Sequence, residues 1–263
     1  MHFVYIFAAV LPAILILLYA YKQDFFPEPP KIVFKTFLFG CATVLAVDLF
    51  IGVLDDYSEK NFTGETYYFF DSFIRAAFLE EFFKLTVIVF YCTRKSVFDE
   101  PMDGLIYGVA ASLGYAAYEN IDYVLYVGEY APSFDMALTR AFSAVPAHGL
   151  FGIVMGFFVA KSIFEKKHNY IYLILAILVP VAMHGSYNYS ISSDLIHWQF
   201  VNVILFVSGL AAIFMFRNLK RKQKAGIIYD KKYYDITIIN FTNATTTVLL
   251  IYLVLNYLVN LFL

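Results

Sequence analysis

Charge is scarce in this sequence. Its 263 residues include 19 basic and 21 acidic side chains, 15% of the chain, where a soluble domain carries roughly 25%. That is too few to build a water-facing surface. Net charge is −2, so there is no overall basic field and no case for a nucleic-acid partner. Only two cysteines occur, Cys41 and Cys92, each inside an apolar stretch. A disulfide framework and a cysteine metal site are therefore excluded. Internal repeats, low-complexity tracts and a soluble insert are also missing. What remains is 61% hydrophobic and 20% aromatic.

The apolar residues fall into eight stretches, about 3–21, 33–54, 70–92, 103–127, 140–163, 170–190, 199–217 and 243–263. Each approaches the ~20 residues that cross a hydrocarbon core. The first lacks a basic leader and a small-x-small cleavage site, so it is expected to remain as a helix. Lysine and arginine fix the orientation. Fifteen lie in alternate loops: Lys22, Lys31 and Lys35, then Arg94 and Lys95, then Lys161, Lys166 and Lys167, and seven from Arg217 to Lys232. The opposite side holds two, Lys60 in a loop and Arg140 at a helix start. The expected fold is an all-α, polytopic transmembrane helix bundle of about eight spans with both termini outside the cytoplasm. It forms one integral domain, 1–263, in the cell membrane. The basic segment 217–235 reads as an ordinary cytoplasmic loop with some capacity for anionic lipid.

Ionisable groups at membrane depth are costly, at ~2.5 kcal/mol or more each, and so mark function. The third stretch carries Glu80, Glu81 and Lys84 within five residues. Glu80 and Lys84 share a helix face, while Glu81 projects about 100° away and is free to address a different neighbour. Two adjacent carboxylates in a low dielectric need a compensating cation, an arrangement suited to proton transfer. The fourth stretch holds a small-residue ridge, Gly104, Gly108 and Ser112, suited to close packing, and beyond it Glu119 and Asn120. His148 follows Pro146 in the fifth stretch. His184 follows Pro180 in the sixth, with Asn188 one turn on. Both prolines are expected to kink their helices. Residue offsets times the helical rise put Glu80 ~1.5 Å, His148 ~5 Å, and Glu119 and His184 ~6 Å outside the midplane. Four helices thus bring polar groups to one layer, as a chemical site requires. Asp48 and Arg75, at ~7 and ~9 Å, are expected to pair across the second and third stretches. His2, His168 and His197 fall at the terminus or in loops and receive no role.

These residues resemble the PrsW family of intramembrane proteases, within the wider group that includes the CAAX prenyl endopeptidases. The matching elements are E-E-x-x-K at Glu80, Glu81 and Lys84; D-G-x-x-Y-G at Asp103 to Gly108 with E-N at Glu119 and Asn120; P-A-H-G at Pro146 to Gly149; and H-x-x-x-N at His184 and Asn188. They run in the family's order over about 75–190, and the catalytic core is expected over about 70–190. Lys84 stands in place of the arginine of the CAAX pattern, and Ala144 stands where that pattern has phenylalanine, which points away from a prenylated substrate.

The resemblance implies hydrolysis of membrane-anchored protein substrates near the extracytoplasmic boundary, among them regulators such as anti-sigma factors. It assigns the attacking water to Glu80 and His148, and the oxyanion to His184 and Asn188, with Glu81 beside the base and Lys84, Glu119 and Asn120 in support. No H-E-x-x-H, G-x-S-x-G or G-x-G-D signature offers another proteolytic chemistry. A metal-free mechanism is favoured, since two carboxylates and Lys84 already tune a base. The alternative is one divalent zinc on His148, His184 and Glu80. Other functions use the same layer: a proton- or ion-coupled transporter, for which the missing repeat is unfavourable, or a non-catalytic adaptor or immunity protein.

Overall fold

A computed structural model describes residues 2–127, 133–165 and 169–229. Among them all regular structure is helical. The order is α1 (His2–Tyr21), α2 (Pro30–Asn61), α3 (Gly64–Phe70), α4 (Leu79–Val87), α5 (Pro101–Asp122), α6 (Phe134–Phe142), α7 (Ala144–Phe164), α8 (Asn169–Ser192) and α9 (Phe200–Lys224). Three π-helical stretches extend these: Asp71–Phe78 joins α3 to α4, Ile88–Cys92 follows α4, and Tyr123–Val127 follows α5. Helix is the expected choice for an apolar chain in lipid, because it satisfies the backbone internally.

Five helical segments are long and apolar enough to cross a membrane: α1, α2, the α6 and α7 pair (Phe134–Phe164), α8 and α9. Their outer faces carry large exposed apolar side chains, such as Leu15, Leu49, Phe206 and Phe214, as a lipid-facing surface would. The third and fourth apolar stretches are also helical, over 64–92 and 101–127, and bury Glu80, Glu81, Lys84 and Asp103. The eighth stretch, 243–263, lies outside the described residues. The basic segment differs from expectation: α9 runs through Arg217, Lys220 and Arg221 to Lys224, so its first part is helix rather than loop.

Helix α5 is the central element, buried at almost every position from Pro101 to Ala117. The small-residue ridge accounts for this. A Cβ added at Gly104 or Gly108 would run into the carbonyls of Gly156 and Gly152 on α7, so the two backbones touch, as small residues permit. On its other side, α5 presses Gly114 against the Phe37 carbonyl of α2.

Pro146 does not kink a continuous helix. The chain breaks at Ser143 (φ −125°, ψ −81°), which ends α6 and starts α7. Pro146 then falls in the first turn of α7, where its missing N–H has no intrahelical acceptor to lose. Pro180 does lie inside α8. The expected Asp48–Arg75 pair is absent as well. Arg75 Nε lies 2.6 Å from both Asp55 and Asp71, one residue being four positions back on its own helix. Depth alone did not discriminate among three nearby carboxylates.

The α5–α7 contact yields a test. Gly108→Ala gains ~1 kcal/mol of helix propensity but drives a methyl into the Gly152 carbonyl, an overpacking cost of ~1–3 kcal/mol. Thermal unfolding in detergent should show a net loss. Gly52→Ala, facing open space on α2, should show none.

Candidate active site

The charged centre is built on α4. Glu80, Glu81 and Lys84 are 6%, 0% and 0% exposed. Lys84 Nζ lies 3.2 Å from Glu80 Oε2, 2.9 Å from Glu81 Oε1 and 3.0 Å from His148 Nδ1. An ammonium has three protons and no lone pair, so these contacts use its full donor capacity. It also sits 4.2 Å from the centroid of the Tyr115 ring, a cation–π contact on one more side. The two glutamates do not address different neighbours. Both turn to Lys84, and both face His184, whose Nδ1 is 2.9 Å from Glu81 Oε1 and 3.9 Å from Glu80 Oε2.

Lysine only donates, so His148 must accept at Nδ1 and carry its proton on Nε2. That Nε2–H donates to Glu119 Oε2 at 3.0 Å. Glu119 in turn accepts from Arg140 Nη2 at 2.7 Å. Arg140 Nε donates to Asn120 Oδ1, and the Asn120 amide donates to the Ala9 carbonyl, each at 2.7 Å. A hydrogen-bonded chain therefore links α4, α7, α5, α6 and α1. The imidazoles of His148 and His184 meet edge to face, centroids 4.9 Å apart.

A cavity of about 570 Å³ reaches this centre. Glu80, Glu119, His148, His184 and Asn188 line it, whereas Glu81, Lys84 and Asn120 do not. The cavity continues past Asp71, Asp122, Ser143 and Ser192, at the end of the bundle where α5 and α8 finish and α7 begins. π-Helical turns flank Glu80 on both sides and follow Glu119; such turns recur at functional sites.

All eight site residues singled out in the sequence thus meet in one region, with Asn120 one step out and Asn188 on the cavity wall. Two more belong there. Arg140 counts in the sequence as a helix-start charge, yet it is 9% exposed and tied to Glu119 and Asn120. Tyr115 is one turn before Glu119 on α5, a spacing that carried the signal unnoticed.

The donor set suits a metal in kind. Glu80, Glu81, His148 and His184 each offer one ligand atom, all within 4.8 Å of one another. Two imidazoles with carboxylate oxygen are zinc ligands, and the Glu119 bond to His148 is the outer contact that orients a ligating histidine. Lys84, however, already touches three of the four residues.

The Arg140–Glu119 pair can be tested by stability. Arg140→Met leaves Glu119 poorly compensated and should cost ~3 kcal/mol, while Arg140→Met with Glu119→Gln should lose much less. Chemical unfolding of the purified variants in detergent measures both.

Comparison with known proteins identifies the family. A family model described as PrsW family intramembrane metalloprotease matches residues 28–215. The protein named Protease PrsW of Oceanobacillus iheyensis is 35% identical over 182 residues, 69% of this chain and 80% of that one. Protease PrsW of Bacillus subtilis is 34% identical over 193 residues, covering 73% and 84% of the two chains. Protease PrsW of Clostridioides difficile is 28% identical over 223 residues, covering 82% and 89%. No solved structure matches. The chain belongs to the PrsW family of membrane-embedded proteases.

Proposed function

We propose that this protease cuts membrane-anchored protein substrates, regulators such as anti-sigma factors among them, close to their extracytoplasmic membrane boundary, with Glu80 as the general base. The observation that carries this reading is that Glu80 is the one member of the Glu80, Glu81 and Lys84 group that lines the cavity. A base must reach its water. Glu80 holds the water, and His148, which lines the same cavity with its ring nitrogens engaged by Lys84 and Glu119, fixes Lys84 beside it. Glu81 stays behind, occupied by Lys84 and His184, and fixes both. His184 and Asn188, one turn apart on α8 and both on the cavity wall, receive the developing oxyanion. Glu119, with Arg140 and Asn120, holds His148 in the tautomer that keeps Nδ1 as an acceptor.

The residues that would hold a zinc are His148, His184, Glu80 and Glu81. Bound there, it would act as a Lewis acid toward the carbonyl and acidify the water. We favour the metal-free reading because the Lys84 ammonium already supplies positive charge to these donors, and a dication would share their space with it.

The bundle is assigned eight spans with both termini outside, forming one domain whose catalytic part is about 70–190. This reading rests on the lysine and arginine distribution. It makes the end carrying Asp71, Asp122 and Ser192 extracytoplasmic, so water and substrate enter the cavity from that side. The cytoplasmic route is longer and passes the buried Leu85, Val87 and Ile88.

Glu80→Gln keeps volume but cannot take a proton. Cleavage of a reconstituted single-span reporter should fall ~10²–10⁴-fold while the protein stays folded; near-normal cleavage removes Glu80 from the role. In the same assay 1,10-phenanthroline should leave wild-type activity intact, and its abolition with release of one zinc per chain would replace the metal-free reading.

Access is tested separately. Single cysteines at Ala147 and Ile191, both on the cavity wall, are introduced in a chain lacking Cys41 and Cys92. A membrane-impermeant thiol reagent should label them from the extracytoplasmic face. Labelling only from the cytoplasm overturns the orientation and the access route together.

A further inference from the structure

The opposite end of α5 holds a second set of carboxylates that proteolysis does not use. Asp24 and Glu28 come from the α1–α2 connection, Glu100 precedes α5, and Asp103 lies in its first turn. They are 8%, 4%, 9% and 0% exposed. One carboxylate oxygen from each of Asp24, Glu100 and Asp103 lies within 4.8 Å of the others.

The neutral donors around them are accounted for. Asp103 Oδ2 accepts the N–H groups of Asp99 and Glu100, both at 2.8 Å. Asp24 Oδ1 accepts the Phe26 N–H at 3.0 Å and the Gln223 amide at 2.6 Å, and the same amide donates to Glu100. Tyr107 donates to Glu28. After these bonds, Asp24 Oδ2 remains buried with no hydrogen-bond partner, and Asp103 and Glu28 set their carboxyls against each other. Lys84, Arg75, Arg140 and Lys161 pair with other carboxylates, Glu80 and Glu81, Asp55 and Asp71, Glu119, and Glu165.

The contrast with the catalytic centre is direct. There Lys84 and Arg140 compensate Glu80, Glu81 and Glu119; here the donors are amides and a phenol. Four carboxylates thus lie buried at one end of α5 with only neutral groups as donors to them. Acceptor oxygens facing one another in a buried place need a cation or a shared proton between them.

We infer that Asp24, Glu100 and Asp103, with Glu28 set against Asp103, form a binding site for a hard divalent cation of the magnesium or calcium kind, distinct from the catalytic centre. The ligands are all oxygen, as such ions require, and no imidazole or thiolate is present to favour a softer metal. By joining the α1–α2 connection to the start of α5, with Gln223 bringing in α9, the ion clamps three parts of the chain that meet at this end.

The test is thermal unfolding of the full chain in detergent, exchanged free of divalent ions. Magnesium and calcium chloride are added in separate arms, with sodium chloride at matched ionic strength as control. At millimolar concentration at least one dication should raise the Tm by at least ~3 °C over the sodium control. The shift should vanish in Asp24→Asn with Glu100→Gln and persist in Glu80→Gln. Equilibrium dialysis with calcium or magnesium should find one ion fewer per chain in the double variant. If that variant does not fold, Glu28→Gln is scored by the same two measurements. A wild type indifferent to both ions means that a shared proton neutralises the cluster and overturns the site. So does a shift that survives in the ligand variants, or one lost in Glu80→Gln.

Discussion

One buried ammonium organises the catalytic region. Lys84 is fully buried, yet its three protons have three acceptors, two carboxylates and an imidazole. Without it, Glu80 and Glu81 would face each other and His184 with their charge uncompensated, at a cost of several kcal/mol. With it, the positions of four side chains become mutually dependent. The bond to His148 decides which imidazole nitrogen carries the proton, and that choice sends the other nitrogen to Glu119. Glu119 then needs Arg140, and Arg140 is steadied by Asn120 and the Ala9 carbonyl. The tautomer of one histidine is thereby tied to helices at the edge of the bundle.

Such a network holds only if the helices that carry it cannot drift. The glycine contacts between α5 and α7 supply that rigidity, because backbone on backbone leaves little room for sliding. They fix Glu119 relative to His148 within the reach of one hydrogen bond. The break at Ser143 has a complementary effect. It lets α6 take a different course from α7 and brings Arg140 back over Glu119, which an unbroken helix from 134 to 164 would not be free to do. The π-helical stretch Asp71–Phe78 ends just before Glu80, where regular α-helical phase would otherwise fix which residues point at the cavity.

Much of this was legible in the sequence, for identifiable reasons. Apolar length gives the helical segments, since lipid leaves the backbone little choice. The glycine ridge gives close packing of α5, while its partner α7 is named only by the structure. Charged and polar residues at one depth mark the site, and Glu80, Glu119, His148 and His184 do converge. What sequence missed depends on direction rather than depth. Arg75 pairs with Asp55 and Asp71 instead of Asp48, because depth arithmetic says nothing about which face a side chain occupies. Glu81 joins Glu80 at Lys84 because a long flexible ammonium reaches residues three and four positions back. Arg140 reads in sequence as a charge at a helix start, and only the turn at Ser143 brings it inward. The cluster of Asp24, Glu28, Glu100 and Asp103 is spread over 80 residues and becomes visible only when α1, α2, α5 and α9 are assembled.

The two ends of α5 meet opposite requirements. Hydrolysis inside a membrane needs water at the bond being cut and none leaking across the bundle. At the Glu119 end, α5 finishes in a π-helical turn beside an open cavity whose rim is polar. At the Asp103 end, polar groups are present in similar number but closed in, with Gln223 bridging two carboxylates and Tyr107 bonded to a third. Between the two ends lies the uninterrupted buried run from Leu105 to Ala117, packed backbone to backbone on both sides. A polar site can therefore sit at membrane depth without opening a path through the protein, because the same small residues that bring the helices together leave no gap for a file of water.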